Sequence, residues 1–396
     1  MARPLRGDHG VRTGAPAAWA RCAAAAAIAA TGACTAPGPA NGGPSAVPVD
    51  VFVGGTAGHA VYRIPSVVRA PDGSILAFAE ARGSFDDIGE NSLVMRRSAD
   101  DGRTWGAQRT VASMPGRSLN NPCAVAVARG PAAGSVLLVF QSYPAGAREA
   151  QVPPGLEGDG VCRTHAMASA DGGATWGAPH DITAGVKRPP PVTTTASGPG
   201  LGIQLARGAH AGRIVVPMNQ GPYGDWRVYM ALSDDGGASW RMGAVAAEDG
   251  AGHANEVQVA ERADGTLLLA ARQFGGGARR KVAVSGDGGG TWGALRAVPE
   301  LTDPSCMGGL LALDGGRRLA VTGPDDPARR RNGVAWICED GGATWPVRVP
   351  VHGGEFAYSA PVALADGCLG VLFEADGCRR IAFVAVRLPA AVAAVR

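Results

Sequence analysis

The sequence predicts an all-β fold, a propeller of repeated sheet units, and two observations carry that reading. One eight-residue phrase recurs five times, as Ser98–Trp105, Ser169–Trp176, Ser233–Trp240, Ser285–Trp292 and Cys338–Trp345, and it uses five of the 8 tryptophans. Recurrence every 50 to 70 residues or so marks an array whose units cannot each bury a core alone. The second observation is a series of short apolar runs between turn residues, in a 396-residue chain with 60 Gly and 29 Pro. Such runs are too short for helices and read as strands.

Each element follows from local chemistry. Within the phrase, Asp-Gly and Gly-Gly supply positive φ, and the Asp carboxylate can accept hydrogen bonds from the turn's own N–H groups. The terminal Trp covers the turn by packing on the unit beneath it. Five similar Asp could be read as five metal sites or five acids, but their shared turn context makes them architectural. The fifth copy opens with Cys338-Glu339 where the others open with Ser, which predicts a weaker turn. Strands are expected at Ser74–Ala79, Gly134–Phe140, Gly212–Pro217 and Gly265–Ala270, with Leu369–Phe373 and Ile381–Val386 completing the last unit and joining it to the first. Residues 50 to 390 divided among six blades give roughly 57 residues each, above the ~40–45 of compact propeller repeats. The surplus is left for loops that build a site.

The first fifty residues differ. Several Arg precede the apolar run Cys22–Ala30, and a Pro/Gly/Ala/Ser stretch follows. This is the pattern of an export signal, over residues 1–34, and the run is too short to span a membrane. Residues 35–48 read as a flexible tether and 49–392 as the folded domain. Thr31-Gly32-Ala33-Cys34 is similar to a lipoprotein cleavage box lacking its usual Leu, so Cys34 is a candidate lipid anchor. The expectation is a secreted or extracytoplasmic protein without a transmembrane span, held at the cell surface if Cys34 is lipidated. A formal charge of +3 and the lack of a basic run argue against nucleic acid as a partner. Six cysteines follow the leader, Cys123, Cys162, Cys306, Cys338, Cys368 and Cys378; their number permits disulfides but fixes no pairing. No Cys-x-x-Cys or Cys/His cluster points to zinc.

With Tyr62-Arg63-Ile64-Pro65 ahead of the five phrases, the chain resembles the exo-sialidases of the bacterial and animal superfamily, from about residue 55 to 387. The resemblance implies a six-bladed β-propeller with five Asp boxes that cleaves terminal sialic acid from glycoproteins, glycolipids and oligosaccharides. It implies a monomer and no metal or cofactor. Sialic acid carries a carboxylate on its anomeric carbon, and a bound carboxylate is best met by planar, permanently charged guanidinium groups. The family uses three. Arg63 matches the first, Arg272 in Leu269-Ala270-Ala271-Arg272-Gln273 the second, and Arg330 of Arg330-Arg331-Asn332 the third, with Arg331 one residue away as the alternative.

A carboxylate nucleophile would be repelled by the substrate's own carboxylate, and sialidases use Tyr instead. Tyr358, just after the last box, matches the family's nucleophile, and Glu256 in Asn255-Glu256-Val257-Gln258 matches the carboxylate that serves it as base. The segment from Glu80 to Gly89 resembles the acid/base loop, where Asp86 and Asp87 compete for the role and Arg82 lines the same pocket. Glu374 matches the late Glu that orients the first Arg; Asn120 and Gln204 are further candidates to line the pocket. Together these imply retaining hydrolysis. The rivals are a non-catalytic glycan-binding propeller, and a trans-sialidase or a hydrolase of deaminated sialic acid acting through the same residues.

Overall fold

The structure, a computed structural model, describes residues 47–391. The export-signal segment with Cys34, the tether up to residue 46, and residue 392 at the predicted domain end lie outside the described residues. The fold is all-β, with helical turns of no more than four residues. Its strands are β1 (Val49–Val53), β2 (Val61–Arg69), β3 (Ile75–Arg82), β4 (Ser92–Ser98), β5 (Arg109–Ala112), β6 (Arg117–Ala126), β7 (Val136–Pro144), β8 (Arg163–Ser169) and β9 (His180–Asp181). There follow β10 (Thr195–Ser197), β11 (Gly200–Leu201), β12 (Ile203–Gln204), β13 (Ile214–Gln220), β14 (Arg227–Ser233), β15 (Arg241–Met242), β16 (His253–Glu261), β17 (Leu267–Phe274), β18 (Arg279–Ser285) and β19 (Arg296–Thr302). The last are β20 (Leu310–Leu313), β21 (Arg318–Pro324), β22 (Arg331–Cys338), β23 (Val347–Ala363), β24 (Leu369–Ala375) and β25 (Arg380–Val386).

These strands form antiparallel runs in chain order. Sheet one is β2-β3-β4-β5, sheet two is built on β6-β7-β8-β9, sheet three on β10-β13-β14-β15, and sheet four is β16-β17-β18-β19. The seven-stranded sheet runs β20-β21-β22-β23-β24-β25-β1. It holds two four-stranded runs because β23 is 17 residues long. The first part of β23 pairs with β22, through Ile337↔Val347, and its last part with β24, through Ala363↔Leu369. The final strands thus do join the first: β1 pairs with β25, Val49 opposite Phe383.

Apolar side chains are buried between successive sheets. Leu76 and Phe78 of sheet one pack with Leu138 and Phe140 of sheet two. Val139 meets Val216 between sheets two and three, Met230 meets Leu269 between three and four, and Leu268 meets Trp336 beyond sheet four. Within the seven-stranded sheet Ile337 packs with Phe373, and Phe383 with Tyr62 brings the order back to sheet one. Each sheet therefore completes its neighbour's core, as the sequence repeat requires.

The five repeated phrases share one hydrogen-bond pattern. In the second, Ser169 Oγ donates to Asp171 and accepts from Gly173 N, while Asp171 accepts from Thr175 N and Thr175 Oγ1 at 2.8 and 2.6 Å. The fifth phrase is not depleted of these bonds. The Cys338 thiol takes the hydroxyl's place, donating to Asp340 and accepting from Gly342 N. Each turn leans on the sheet before its own: Trp176 meets Phe78 of β3 edge-on, and Trp105 meets Phe383 of β25. That contact dictates glycine at Gly102, where φ is +83° and a Cβ would come within 2.1 Å of the Phe383 ring. The turns lie between the third and fourth strands of a run. In the last run those strands are β25 and β1, opposite ends of the sequence, so no turn exists there to carry a sixth copy.

Among the described residues no helix is long and apolar enough to cross a membrane. The six cysteines named above are all free, so none of the permitted disulfides forms.

Candidate active site

Four strands carry β-bulges, three near their starts and β23 where it passes from pairing with β22 to pairing with β24. The pairing shifts between Arg63 and Ser66 in β2, Asn120 and Cys123 in β6, Ala254 and Val257 in β16, and Phe356 and Ser359 in β23. A bulge re-aims the side chains beside it. Here Ile64 and Asn121 adopt φ of +60° and +54°, uncommon for non-glycine residues and for a β-branched one an outlier. Arg63, Asn120, Glu256 and Tyr358 sit at these four irregularities. A cavity of about 280 Å³ opens there, lined by Ile64, Arg82, Asp87, Asn120, Glu256, Arg272 and Tyr358 among others.

At its centre Arg272 joins the two groups singled out as nucleophile and base. Its Nη1 donates to Glu256 Oε2 at 2.6 Å and to Tyr358 Oη at 2.9 Å. The phenol and the carboxylate thus share one nitrogen, with no direct hydrogen bond between them. Burial, with the Glu256 charge, pushes the Tyr358 hydroxyl far above its usual range, against the opposing pull of Arg272 and Arg330. Two more guanidinium groups lie over the Tyr358 ring, Arg63 at 5.6 Å and Arg330 at 5.4 Å from its centroid.

Oxygens of Glu374 and Ser305 aim the guanidinium groups. Glu374 takes Arg63 at two points, Nε at 2.7 Å and Nη2 at 3.2 Å, and also accepts from the backbone N–H groups of Ile64 and Tyr358. Ser305 receives Arg272 through its Oγ and Arg330 Nη2 through its carbonyl at 2.7 Å. Arg331 is drawn away to Asp326, so Arg330 is the one at the site.

The loop after β3 brings the acid candidates. Asp87 lines the cavity, and Asp86 is not among its lining residues. The Asp87 carbonyl accepts from Ser118 Oγ at 2.7 Å and Asn91 Nδ2 at 3.0 Å, while Arg82 holds the loop through the Phe85 carbonyl. Arg82 is itself fixed on Glu80, a fully buried carboxyl that also accepts from Asn121 N and Asn120 Nδ2. The Phe85 ring lies 5.0 Å over the Arg63 guanidinium, tying this loop to the arginine group. Gln204 corrects an expectation: it is away from the cavity, accepting from Ala128 N and Arg129 N and donating to Gly212 O. A side-chain amide flanked by exposed backbone groups binds them, and the glycine-rich segment before it gave no signal of that.

A family model described as a BNR repeat-like domain matches residues 66–371. The sialidase of Micromonospora viridifaciens is 32% identical over 356 residues, 86% of this chain and 54% of that protein. The chain belongs to the bacterial and animal sialidase superfamily. Another superfamily relative, mouse sialidase-3, is 31% identical over 275 residues, 64% of this chain and 62% of its own length. The chain thus spans less than two thirds of the length of these sialidases. The solved Hadza microbial sialidase Hz136 superposes with a TM-score of 0.77 at 26% identity, over 86% of this chain and 68% of that one, so the fold is sialidase-like.

Several residues of this superfamily member's site were not read from sequence: Glu80, Ser118, Ser305, and on the far wall Tyr143, Glu149, Tyr223 and Trp226. They come from strands and loops without a repeated phrase. The one available signal was the rarity of Tyr and Trp outside the boxes.

Proposed function

We propose that the chain is an exo-α-sialidase acting with retention on terminal sialic acid of glycoproteins, glycolipids and oligosaccharides, and that its closed order of sheets is a six-bladed β-propeller with five Asp boxes. A fold by itself assigns no activity. The observation that carries the reading is the Arg272 nitrogen shared by Glu256 and Tyr358, with Arg63 and Arg330 over the phenol ring.

In this reading Arg63, Arg272 and Arg330 clamp the substrate carboxylate, and Arg82 borders the pocket. Glu374 keeps Arg63 in register. Tyr358 Oη forms a bond to the anomeric carbon as the bond to the aglycone oxygen breaks. Asp87 gives its proton to that oxygen, and the phenolic proton passes to Glu256. Water, deprotonated by Asp87, then attacks the anomeric carbon from the side the aglycone left. The bond to Tyr358 breaks, and Glu256 returns the proton to the phenolate. Asp87 is preferred to Asp86 because Asp87 lines the cavity. The domain limits 49–392, export and the monomeric state remain part of the proposal.

The test is release of 4-methylumbelliferone from its sialoside by wild type, Tyr358→Phe and Arg63→Ala. Turnover in the wild type with collapse in both variants is expected. A folded wild type that binds a sialoside without turning it over would leave a binding propeller instead.

A further inference from the structure

Two of the three clamp arginines meet on a turn that does not itself line the cavity. Ser305, in the connection between β19 and β20, accepts from Arg272 Nε and Nη2 at 3.2 Å on its Oγ and from Arg330 Nη2 at 2.7 Å on its carbonyl. Arg272 belongs to sheet four, and Arg330 stands just before β22 of the seven-stranded sheet, so this turn is the joint between them. Arg63 and Arg272 each have a carboxylate partner, Glu374 and Glu256. Among the described residues Arg330 forms no ion pair, and its guanidinium donates to the Ser305 carbonyl. A neutral carbonyl aims a guanidinium without neutralising its charge, so the direction of that one C=O matters to any carboxylate the arginines bind.

That direction is imposed from behind. Ser305 has a φ of +55°, uncommon for a residue with a side chain. Its carbonyl shares a peptide plane with Cys306 N–H, and in a trans peptide the two point to opposite sides. Asp303 Oδ1 accepts from Cys306 N at 2.9 Å, so a grip on the N–H side turns the carbonyl toward Arg330. Asp303 Oδ2 accepts from Gln273 N at 3.0 Å, on the residue after Arg272. Arg280 of β18 donates to the Cys306 carbonyl at 2.7 Å and lies 3.9 Å from Asp303 Oδ2. Asp303 and Arg280 are both buried, and neither lines the cavity. A buried ion pair is a poor source of net stability, and this one is spread over the backbone that carries two arginine contacts.

We propose that Asp303 is a positioning residue for carboxylate binding: it aims the Ser305 carbonyl at Arg330 through one peptide N–H and sets Arg272 through another. The inference rests on the sialidase reading. Two like-charged guanidinium groups from different sheets are thereby held at one spacing, by a residue that touches neither of them nor the substrate.

Asp303→Asn puts an NH₂ group against one of the two backbone donors, and Ser305→Gly takes the positive φ without strain and removes only the Oγ. Steady-state kinetics on the 4-methylumbelliferyl sialoside is the measurement, at a temperature where circular dichroism shows each variant folded. KM rises about tenfold or more for Asp303→Asn and by a smaller factor for Ser305→Gly. In both, kcat changes less, the signature of lost substrate binding. The double variant keeps the KM of Asp303→Asn rather than the product of the two changes, because both act on one turn. Should Asp303→Asn not fold, Arg280→Lys, which keeps the charge but draws back from the Cys306 carbonyl, takes its place in the same comparison. An active wild type whose folded variants hold KM within about twofold, or whose fold-changes multiply, overturns this inference alone. A wild type inert on the sialoside overturns the sialidase reading and this inference with it.

Discussion

Arg63 and Glu374, 311 residues apart in sequence, meet as a two-point ion pair closed off from solvent. The same carboxylate accepts from Tyr358 N, so one buried group sets both the arginine and the backbone of the tyrosine. Burial alone would push Glu374 up; the Arg63 charge and these hydrogen bonds outweigh it and hold the carboxyl below its ordinary range.

Glu374→Gln should therefore cost both stability and activity. Removing one partner of a buried pair leaves the other charge uncompensated, a loss of about 3–5 kcal/mol. A fall in melting temperature of several degrees, with kcat/KM down at least about tenfold, is expected from calorimetry and kinetics run side by side.

Acid should unfold the protein between about pH 4 and pH 2. Serine or threonine hydroxyls and turn N–H groups lower Asp171 to about 2, and Asp340 is likewise lowered to about 2 against burial. Asp100, Asp235 and Asp287 are lowered too. A carboxyl depressed in the folded state contributes stability above its unfolded value and loses it as pH falls through the folded one. Tryptophan fluorescence reads the transition, since each turn ends in Trp. Asp171→Asn should flatten its pH dependence.

Asp87→Asn should discriminate between leaving groups. A natural sialoside needs a proton on its departing oxygen, whereas 4-methylumbelliferone leaves with less help. Activity on sialyllactose should fall about 100-fold or more, and far less on the fluorogenic substrate, while Asp86→Asn changes the ratio little.

Cys338→Ser should be tolerated. The thiol already makes the bonds a serine hydroxyl makes in the other four turns. A thermal melt within about 1 kcal/mol of wild type is expected.

What could be read in the sequence was what a short local phrase can encode. The eight-residue phrases repeat because each third-to-fourth strand turn solves the same hydrogen-bond problem, and Arg63 is flagged by the Ile-Pro that follows it. Tyr358 and Glu256 were legible as isolated residues, but the Arg272 nitrogen between them was not, because it depends on the bulges of β16 and β23. Arg330 and Arg331 were indistinguishable in one dimension; the carbonyl of Ser305 and the carboxylate of Asp326 separate them. Glu149 had no phrase around it at all. Its hydrogen-bond donor Trp226 lies 77 residues further on.

The pairing of β1 with β25 sets when this molecule can complete its pocket. Val49 is among the first described residues to be synthesised and Phe383 among the last, so their ladder cannot zip until almost the whole polypeptide is made. Contacts of such long sequence separation form slowly and late. Phe383 in that ladder also bears on the first tryptophan turn and on Tyr62, next to Arg63. A nascent or truncated chain lacking β25 would leave two raw strand edges open to pairing with another chain, and its arginine pocket unfinished. A finished pocket and protection from aggregation would thus arrive together, at a single closing step.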